Sequence, residues 1–303
     1  MKRWLPLLAL LFTAACGGPQ SPSVALCGPG NRLRVGLVGA LEGRTQGGAA
    51  VLPDSDQFRL KELLTVASRC EVQLEPVASP EQARRRLSTG DWDLAFLPPG
   101  LTAYALEQGG GYGLVRQLGR RSNSKSQLLV REASGLRTRA DLRGKRLGLL
   151  PRGSLTGFYL PLFNLHGLRF SEVQYALSYA DLREMLNDGR VDVIAWDGAL
   201  PHGSPGLRVL YEDSHLIPLG ALALSQPLLQ SDHQPFLSQL DQNVTQLPPS
   251  LGYASGVIPE PYSLKELRGI VAAVEGWSLP RAGAPYTVYG AKKAASPAKE
   301  ESR

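Results

Sequence analysis

Residues 141–197 read DLRGKRLGLLPRGSLTGFYLPLFNLHGLRFSEVQYALSYADLREMLNDGRVDVIAWD, and this stretch decides the fold. Arg146–Leu150 is short and mostly apolar, as a buried strand is. The loop Pro151-Arg152-Gly153-Ser154-Leu155-Thr156-Gly157 follows it. Phe158–Leu165 is then apolar and helical in length, and it stops at Gly167, where a helix C-cap glycine sits. The loop therefore joins a strand end to a helix start. Backbone N–H groups and hydroxyls in that position can face an anion. Ser154 also fits a plain helix N-cap. The pattern continues as the strand Val173–Leu177, the helix Ala180–Asn187 and the strand Val191–Trp196.

The preceding part of the chain has the same alternation. Leu33–Val38 is a strand within Arg32–Val38, and Asp56–Ser68 has the apolar spacing of an amphipathic helix. Glu71–Val77 is a second strand. Ser79-Pro80-Glu81 opens a helix with a cap, a proline and an acid. Asp93–Leu97 is a third strand, followed by Pro98-Pro99-Gly100 and a short helix to Gln108. Leu87–Ala95 and Leu186–Ile194 share the form L-x-x-G-x-x-D followed by apolar residues. Repeated βαβ sets with parallel strands imply two similar α/β lobes. Ligands of such sheets bind beyond the carboxyl ends of the strands, here in a shared cleft. Gln127–Arg131 crosses out of the first lobe, and Leu207–Tyr211 with Leu216–Leu224 returns to it. Ser231–Thr245 and Ser263–Trp277 are closing helices. The expected division is residues 1–15 as signal peptide, 16–31 as tether, 32–123 with 218–290 as the first lobe, 124–217 as the second lobe with the hinge strands, and 291–303 as a disordered tail.

The ends of the chain speak to its location. Lys2 and Arg3 precede the apolar run Trp4–Phe12, which is too short to span a bilayer, and Thr13-Ala14-Ala15 gives small residues before Cys16. This is a secretory signal peptide. A cysteine at that point resembles a bacterial lipobox, which makes Cys16 the lipidated N-terminus and ties the protein to a membrane. Thr13, in place of the usual Leu, leaves ordinary cleavage as the competing reading. Gly17–Ser23 is a flexible tether. The formal charge of +6 sits largely at the ends, so the basic composition is no argument for nucleic acid. Export places Cys27 and Cys70 in an oxidising compartment. Each precedes a strand, and if those strands are parallel neighbours a disulfide is geometrically open to them. Two buried free thiols are the alternative.

No catalytic constellation is present. His166, His202, His215 and His233 are scattered, and none has a Cys or Glu partner at metal-ligand spacing. There is no G-x-S-x-G elbow and no P-loop. This favours binding over reaction, with no enzyme activity, no cofactor and no metal.

The motifs do match a family. Ala140-Asp141-Leu142-Arg143-Gly144-Lys145-Arg146, then Gly153-Ser154-Leu155-Thr156-Gly157 and Pro161, resemble the A-D-L-x-G-K-R and G-S-T-S-G-x-x-x-P segments of type II periplasmic substrate-binding proteins. The group is the phosphate, phosphite and phosphonate binders of ABC importers. Leu97-Pro98-Pro99 with Tyr104 is similar to its G-P-x-x-Y, and Ser214 with Ile217-Pro218 is similar to its returning S-x-x-I-P hinge. The resemblance covers most of Arg32–Trp277.

The resemblance implies a two-lobed fold with a two-strand hinge. Its function would be capture of a small oxyanion between the lobes by an exported monomer, for delivery to an ABC permease and ATPase. It implies a ligand set of Ser154, Thr156, Gly157, Tyr104, Ser126, Tyr179 and Asp197. Ser154 and Thr156 would donate hydroxyls and Gly157 a backbone N–H. Asp197 would meet an ammonium group, or simply cap the next turn. Tyr104 would close over the ligand, or be a half-buried helix residue. Arg44, on the glycine-rich loop Gly39–Gly48, is a cationic candidate or an ordinary surface arginine. Three residues depart from the family pattern. Leu155 replaces a hydroxyl residue, Tyr179 stands where phosphonate binders often carry His, and Ser124 stands where Tyr is frequent. A same-fold binder of sulfonate, nitrate or a pyrimidine precursor, and a sensory module without transport, are the alternatives.

Overall fold

The computed structural model describes residues 25–38, 52–107, 111–119, 125–202 and 205–288. The signal peptide, Cys16, the tether Gly17–Ser23, Arg44 with its loop, Ser124 and the 291–303 tail lie outside the described residues.

The described residues form two lobes, each built on a mixed sheet, and a separate two-stranded sheet. The first begins β1 (Arg32–Val38), α1 (Asp54–Ser68), β2 (Glu71–Val77), α2 (Pro80–Thr89), β3 (Leu94–Leu97) and α3 (Pro99–Glu107), and then adds β4 (Tyr112–Leu118). The second holds β5 (Ser126–Arg131), β6 (Arg146–Leu149), a π-helical turn Leu155–Tyr159 running into α4 (Leu160–Asn164), β7 (Arg169–Phe170), β8 (Glu172–Tyr175), α5 (Tyr179–Asn187), β9 (Val193–Asp197) and β10 (Leu207–Glu212). The chain then returns as β11 (Gly220–Ser225), α6 (Gln226–Leu229), α7 (Gln234–Gln242), β12 (Tyr253–Ala254), α8 (Pro261–Glu275) and β13 (Tyr286–Thr287).

The first sheet runs β12-β4-β11-β3-β1-β2 and the second β10-β5-β9-β6-β8. Each has a parallel core, β2-β1-β3 in one and β8-β6-β9 in the other. The antiparallel strands come from segments that leave or return: β11 beside β3 and β4, and β5 beside β9 and β10. The carboxyl ends of β3 and β6 lead to Gly100 and Gly153, which approach one another between the lobes.

The repeat seen in the sequence is built from the same interactions twice. Arg34 donates to Asp93 through its backbone N, Nε and Nη2 at 2.8, 3.0 and 3.0 Å. Arg146 donates to Asp192 through the same three atoms at 2.9, 3.1 and 2.8 Å. Gly90 (φ 67°) and Gly189 (φ 71°) end α2 and α5 in the left-handed region that glycine adopts without penalty. The next N–H groups, of Asp91 and Arg190, close back onto Arg86 and Met185. Each Asp is thus delivered to the start of an inner strand.

The Asp192 pair carries a pH signature. Burial pushes its carboxyl up, but the hydrogen bonds and charge of Arg146 outweigh that and hold it below the ordinary carboxylate range. A depressed carboxyl contributes stability that is present above its unfolded value, about pH 4, and lost as pH falls through the folded value. Asp192→Asn should therefore show a shallower loss of stability than the native protein below about pH 4 in denaturant titrations at stepped pH.

The apolar core has three parts. One packs α1 and α7 on the outer face of the first sheet, with Leu60, Leu64, Phe236 and Leu240. Another packs α5 on the second sheet, with Leu182, Leu186, Ile194 and Trp196. The third is continuous across both lobes and joins Leu87, Leu101 and Tyr104 to Leu155, Phe158, Leu160 and Val271.

The division expected for the C-terminal part needs correcting. The sequence pattern places residues 218–290 wholly in the first lobe, but β13 pairs with β7, and Val288 accepts from Gly167 and donates to Leu168. The apolar Val288, fully buried, and Trp277, against the His166 ring at 5.5 Å, draw this end onto the second lobe. Cys27 and Cys70 form a disulfide, as the parallel pairing of β1 with β2 permits. No described helix is long and apolar enough to cross a membrane.

Candidate functional site

The loop after β6 is shaped by Pro161. Proline has no N–H, so it cannot close the helical bond to the Gly157 carbonyl. That carbonyl instead accepts from Leu150 N–H at 3.0 Å, and Tyr159 N–H reaches Ser154 at 3.1 Å. The expected α-helix over Phe158–Leu165 is therefore a π-helical turn followed by the short α4. Ser154 caps this turn, and its Oγ accepts from Gly157 N–H at 3.0 Å. The Gly157 N–H expected for a ligand is thus donated within the loop.

Four of the expected residues form one buried cluster on the second lobe. Thr156 Oγ1 shares a 2.5 Å hydrogen bond with the Tyr179 hydroxyl and donates to Asp197 Oδ2 at 3.2 Å. Ser126 Oγ donates to the Thr156 carbonyl at 3.3 Å. Asp197 Oδ1 accepts from Ala199 N–H at 2.9 Å, so this carboxylate caps the turn and faces Thr156 at once. Tyr179 heads α5, whose cap is Ser178, and its ring meets Trp196 edge-on at 5.4 Å. Ser126, Ser154, Thr156, Tyr179 and Asp197 are all at least nine-tenths buried.

Tyr104 stands apart from this cluster. It is buried in α3 rather than half-exposed, and its hydroxyl accepts from Arg84 Nη1 at 3.3 Å. The Arg84 guanidinium carbon lies 5.5 Å from the ring centre. A close backbone contact between the lobes is made by Gly100 on the same helix. A Cβ there would lie 2.5 Å from the Gly153 carbonyl oxygen and 2.8 Å from Leu155 N, so only glycine lets α3 meet the loop this closely. A Cβ on Gly153, at φ 113°, would lie 2.8 Å from Pro80. Leu155, which departs from the family pattern, is fully buried in the core shared by both lobes.

A charged group that the sequence did not single out lies beside the loop. Glu275, at the end of α8, accepts from Arg152 Nε at 2.8 Å and from the Tyr159 hydroxyl at 2.6 Å. Arg84 Nη1 lies 3.5 Å from it. Burial, then the Glu275 charge, pushes the Tyr159 phenol well above its ordinary range, so Tyr159 stays a donor. Sequence offered little to find this group. Arg84 sits in a run of three arginines, and only its place beside the buried Ala83 and Leu87 marks it as turned inward. Among the described residues no group of three or more His, Cys, Asp or Glu lies together as metal ligands do.

Residues 57–171 match the family of ABC transporter phosphonate periplasmic substrate-binding proteins. No curated protein matches the chain. Among solved structures, XAC2383 from Xanthomonas citri bound to chloride ion superposes with a TM-score of 0.61 at 16% identity, over 80% of this chain and 98% of its own. PhnD1 from Prochlorococcus marinus in complex with methylphosphonate gives 0.57 at 16% identity, over 81% and 98%. A binding protein component of an ABC phosphonate transporter from Pseudomonas aeruginosa gives 0.55 at 13% identity, over 79% and 85%. These likenesses show the fold, a two-lobed type II periplasmic binding protein with mixed sheets flanked by helices. The matched family is one of transport substrate-binding proteins and not an enzyme class. The resemblance to the phosphate, phosphite and phosphonate-binding group is thereby supported: residues 57–171 match that family's sequence pattern, and both lobes share the fold of its solved members.

Proposed function

We propose that this protein is exported, held at a membrane by lipid on Cys16, and captures a small phosphorus oxyanion between its lobes as a monomer. It then delivers that ligand to an ABC permease and ATPase. The observation that carries this reading is the buried cluster of Ser126, Thr156, Tyr179 and Asp197 beside the capped turn at Ser154. The Thr156 and Tyr179 hydroxyls meet there, with Ser154 two residues before Thr156, and an entering oxyanion would take over hydrogens that they now share with one another and with Asp197. Neutral donors at such a point hold an oxyanion without the tight charge pairing that slows release. Asp197 in the same cluster repels a bare anion and favours one that also carries an ammonium group, as an aminophosphonate does. Leu155 supplies no hydroxyl, so the phosphorus group is held by fewer side-chain donors than the family pattern offers.

Titration calorimetry with 2-aminoethylphosphonate and methylphosphonate tests the assignment. In Ser154→Ala/Thr156→Ala, loss of two hydrogen bonds to a charged group, each worth about 1.5–3 kcal/mol, should weaken phosphonate binding at least a hundredfold. Asp197→Asn should weaken 2-aminoethylphosphonate about tenfold or more while leaving methylphosphonate unchanged or bound more tightly, since the repulsion of a bare anion is removed. Native affinity in the double variant would remove the loop from the site.

A further inference from the structure

We infer that the end of α8 and the segment behind it pin the two lobes together, so that the protein rests closed without ligand. Ligand then enters during brief openings instead of driving a large closure. The inference rests on contacts between the lobes and is independent of which anion is bound.

Glu275 is the pin. Its side chain is 4% exposed and sits between cations from both lobes, Arg84 of α2 in the first and Arg152 in the loop of the second. The Tyr159 hydroxyl of the second lobe adds a third contact. Opening the lobes pulls Glu275 from one set of partners or the other. A buried carboxylate that loses a paired cation is strongly disfavoured.

Beyond the pin, the chain straps itself to the second lobe. Tyr175 donates its hydroxyl to the Pro280 carbonyl at 3.0 Å, and Gly283 N–H reaches Val173 O at 2.8 Å. β13 then pairs with β7. The chain runs from the first sheet to the second between β4 and β5 and back between β10 and β11. The strap is a third crossing, added to those two. Its near end is anchored on the first lobe, where Arg268 of α8 pairs with Glu107 of α3 at 3.0 Å. A two-strand hinge bends freely, whereas a third tie restricts it. The apolar cluster shared by both lobes and the close approach of Gly100 to Gly153 oppose opening in the same direction.

The test measures lobe separation by pulsed electron–electron spin resonance on dialysed protein with no ligand added. Labels go at Ser88→Cys on α2 and Asn187→Cys on α5, both exposed and at matching points of the repeat, in a Cys16→Ser background. The labelled protein should show one narrow distance. Glu275→Gln should add a longer-distance component of at least about a tenth of the molecules, the upper end of ordinary minor-state populations. A chain ended after Gly276 should do the same. Arg152→Gln, which leaves α8 and the strap intact, should give a smaller component of the same kind, so the result does not depend on the truncated chain folding. Two separations in the otherwise native protein, or a single unchanged separation in both Glu275→Gln and Arg152→Gln, would overturn the inference.

Discussion

Replacing Asp93 with alanine should destabilise the protein by about 3 kcal/mol, because it strands a paired cation at the edge of a core. Asp93 is 4% exposed and takes three hydrogen bonds from Arg34. Its own backbone N–H also closes onto Arg34 O at 2.8 Å, and the Gly28 backbone packs against its carboxylate. Arg34 is 38% exposed, so water offsets part of the loss and holds the cost near the low end for a broken buried pair. The matching change in the second lobe, Asp192→Ala, should cost less, about 2 kcal/mol, since the Asp192 side chain is 20% exposed. Urea denaturation of the two variants side by side checks both the size and the order. Equal, small losses would mean that the repeated ion pair is ornamental to the fold.

Loss of the Cys27–Cys70 disulfide should have an effect of similar size. The bond spans 43 residues of sequence, and closing a loop of that length in the unfolded chain is worth about 4 kcal/mol on the chain-entropy account. The link joins the segment before β1 to the start of β2, and Cys70 is 3% exposed. In a protein of this size the double variant Cys27→Ser/Cys70→Ser should melt roughly 10 °C below the oxidised protein. A midpoint within about 2 °C of native would show that the unfolded chain is already compact in this region.

Much of the fold was legible because local chemistry and tertiary contact agreed. β1 and β2 have the bounds that their composition implies, and α2 begins at Pro80 behind the Ser79 cap read from Ser79-Pro80-Glu81. The L-x-x-G-x-x-D match was legible as a repeat, but its ion pairs were not, since nothing local links Arg34 to a residue 59 positions away. β4 was missed for a related reason. Arg116 interrupts its apolar run, yet it is buried because Asp241 of α7 accepts its guanidinium at 2.5 Å. The π-helical turn Leu155–Tyr159 straddles the expected loop to Gly157 and helix from Phe158, because the pattern of apolar residues does not show which carbonyl a proline leaves unmatched. The cluster of Ser126, Thr156, Tyr179 and Asp197 came from family resemblance, and the structure brings those four into hydrogen-bonding contact. Tyr104, named from the same resemblance, is separated from them by its burial under Arg84.

Ligand-dependent thermal stability of the purified protein shows whether a phosphorus oxyanion is what binds between the lobes. The panel is phosphate, phosphite, methylphosphonate, 2-aminoethylphosphonate, sulfate, nitrate and taurine. A ligand at a hundred times its dissociation constant stabilises a protein by about 2.7 kcal/mol, which moves the midpoint by several degrees. Such a shift is expected with a phosphorus oxyanion, largest for 2-aminoethylphosphonate, and none with sulfate or nitrate. A shift confined to sulfate, nitrate or taurine, or no shift with any phosphorus compound, would contradict the proposed function.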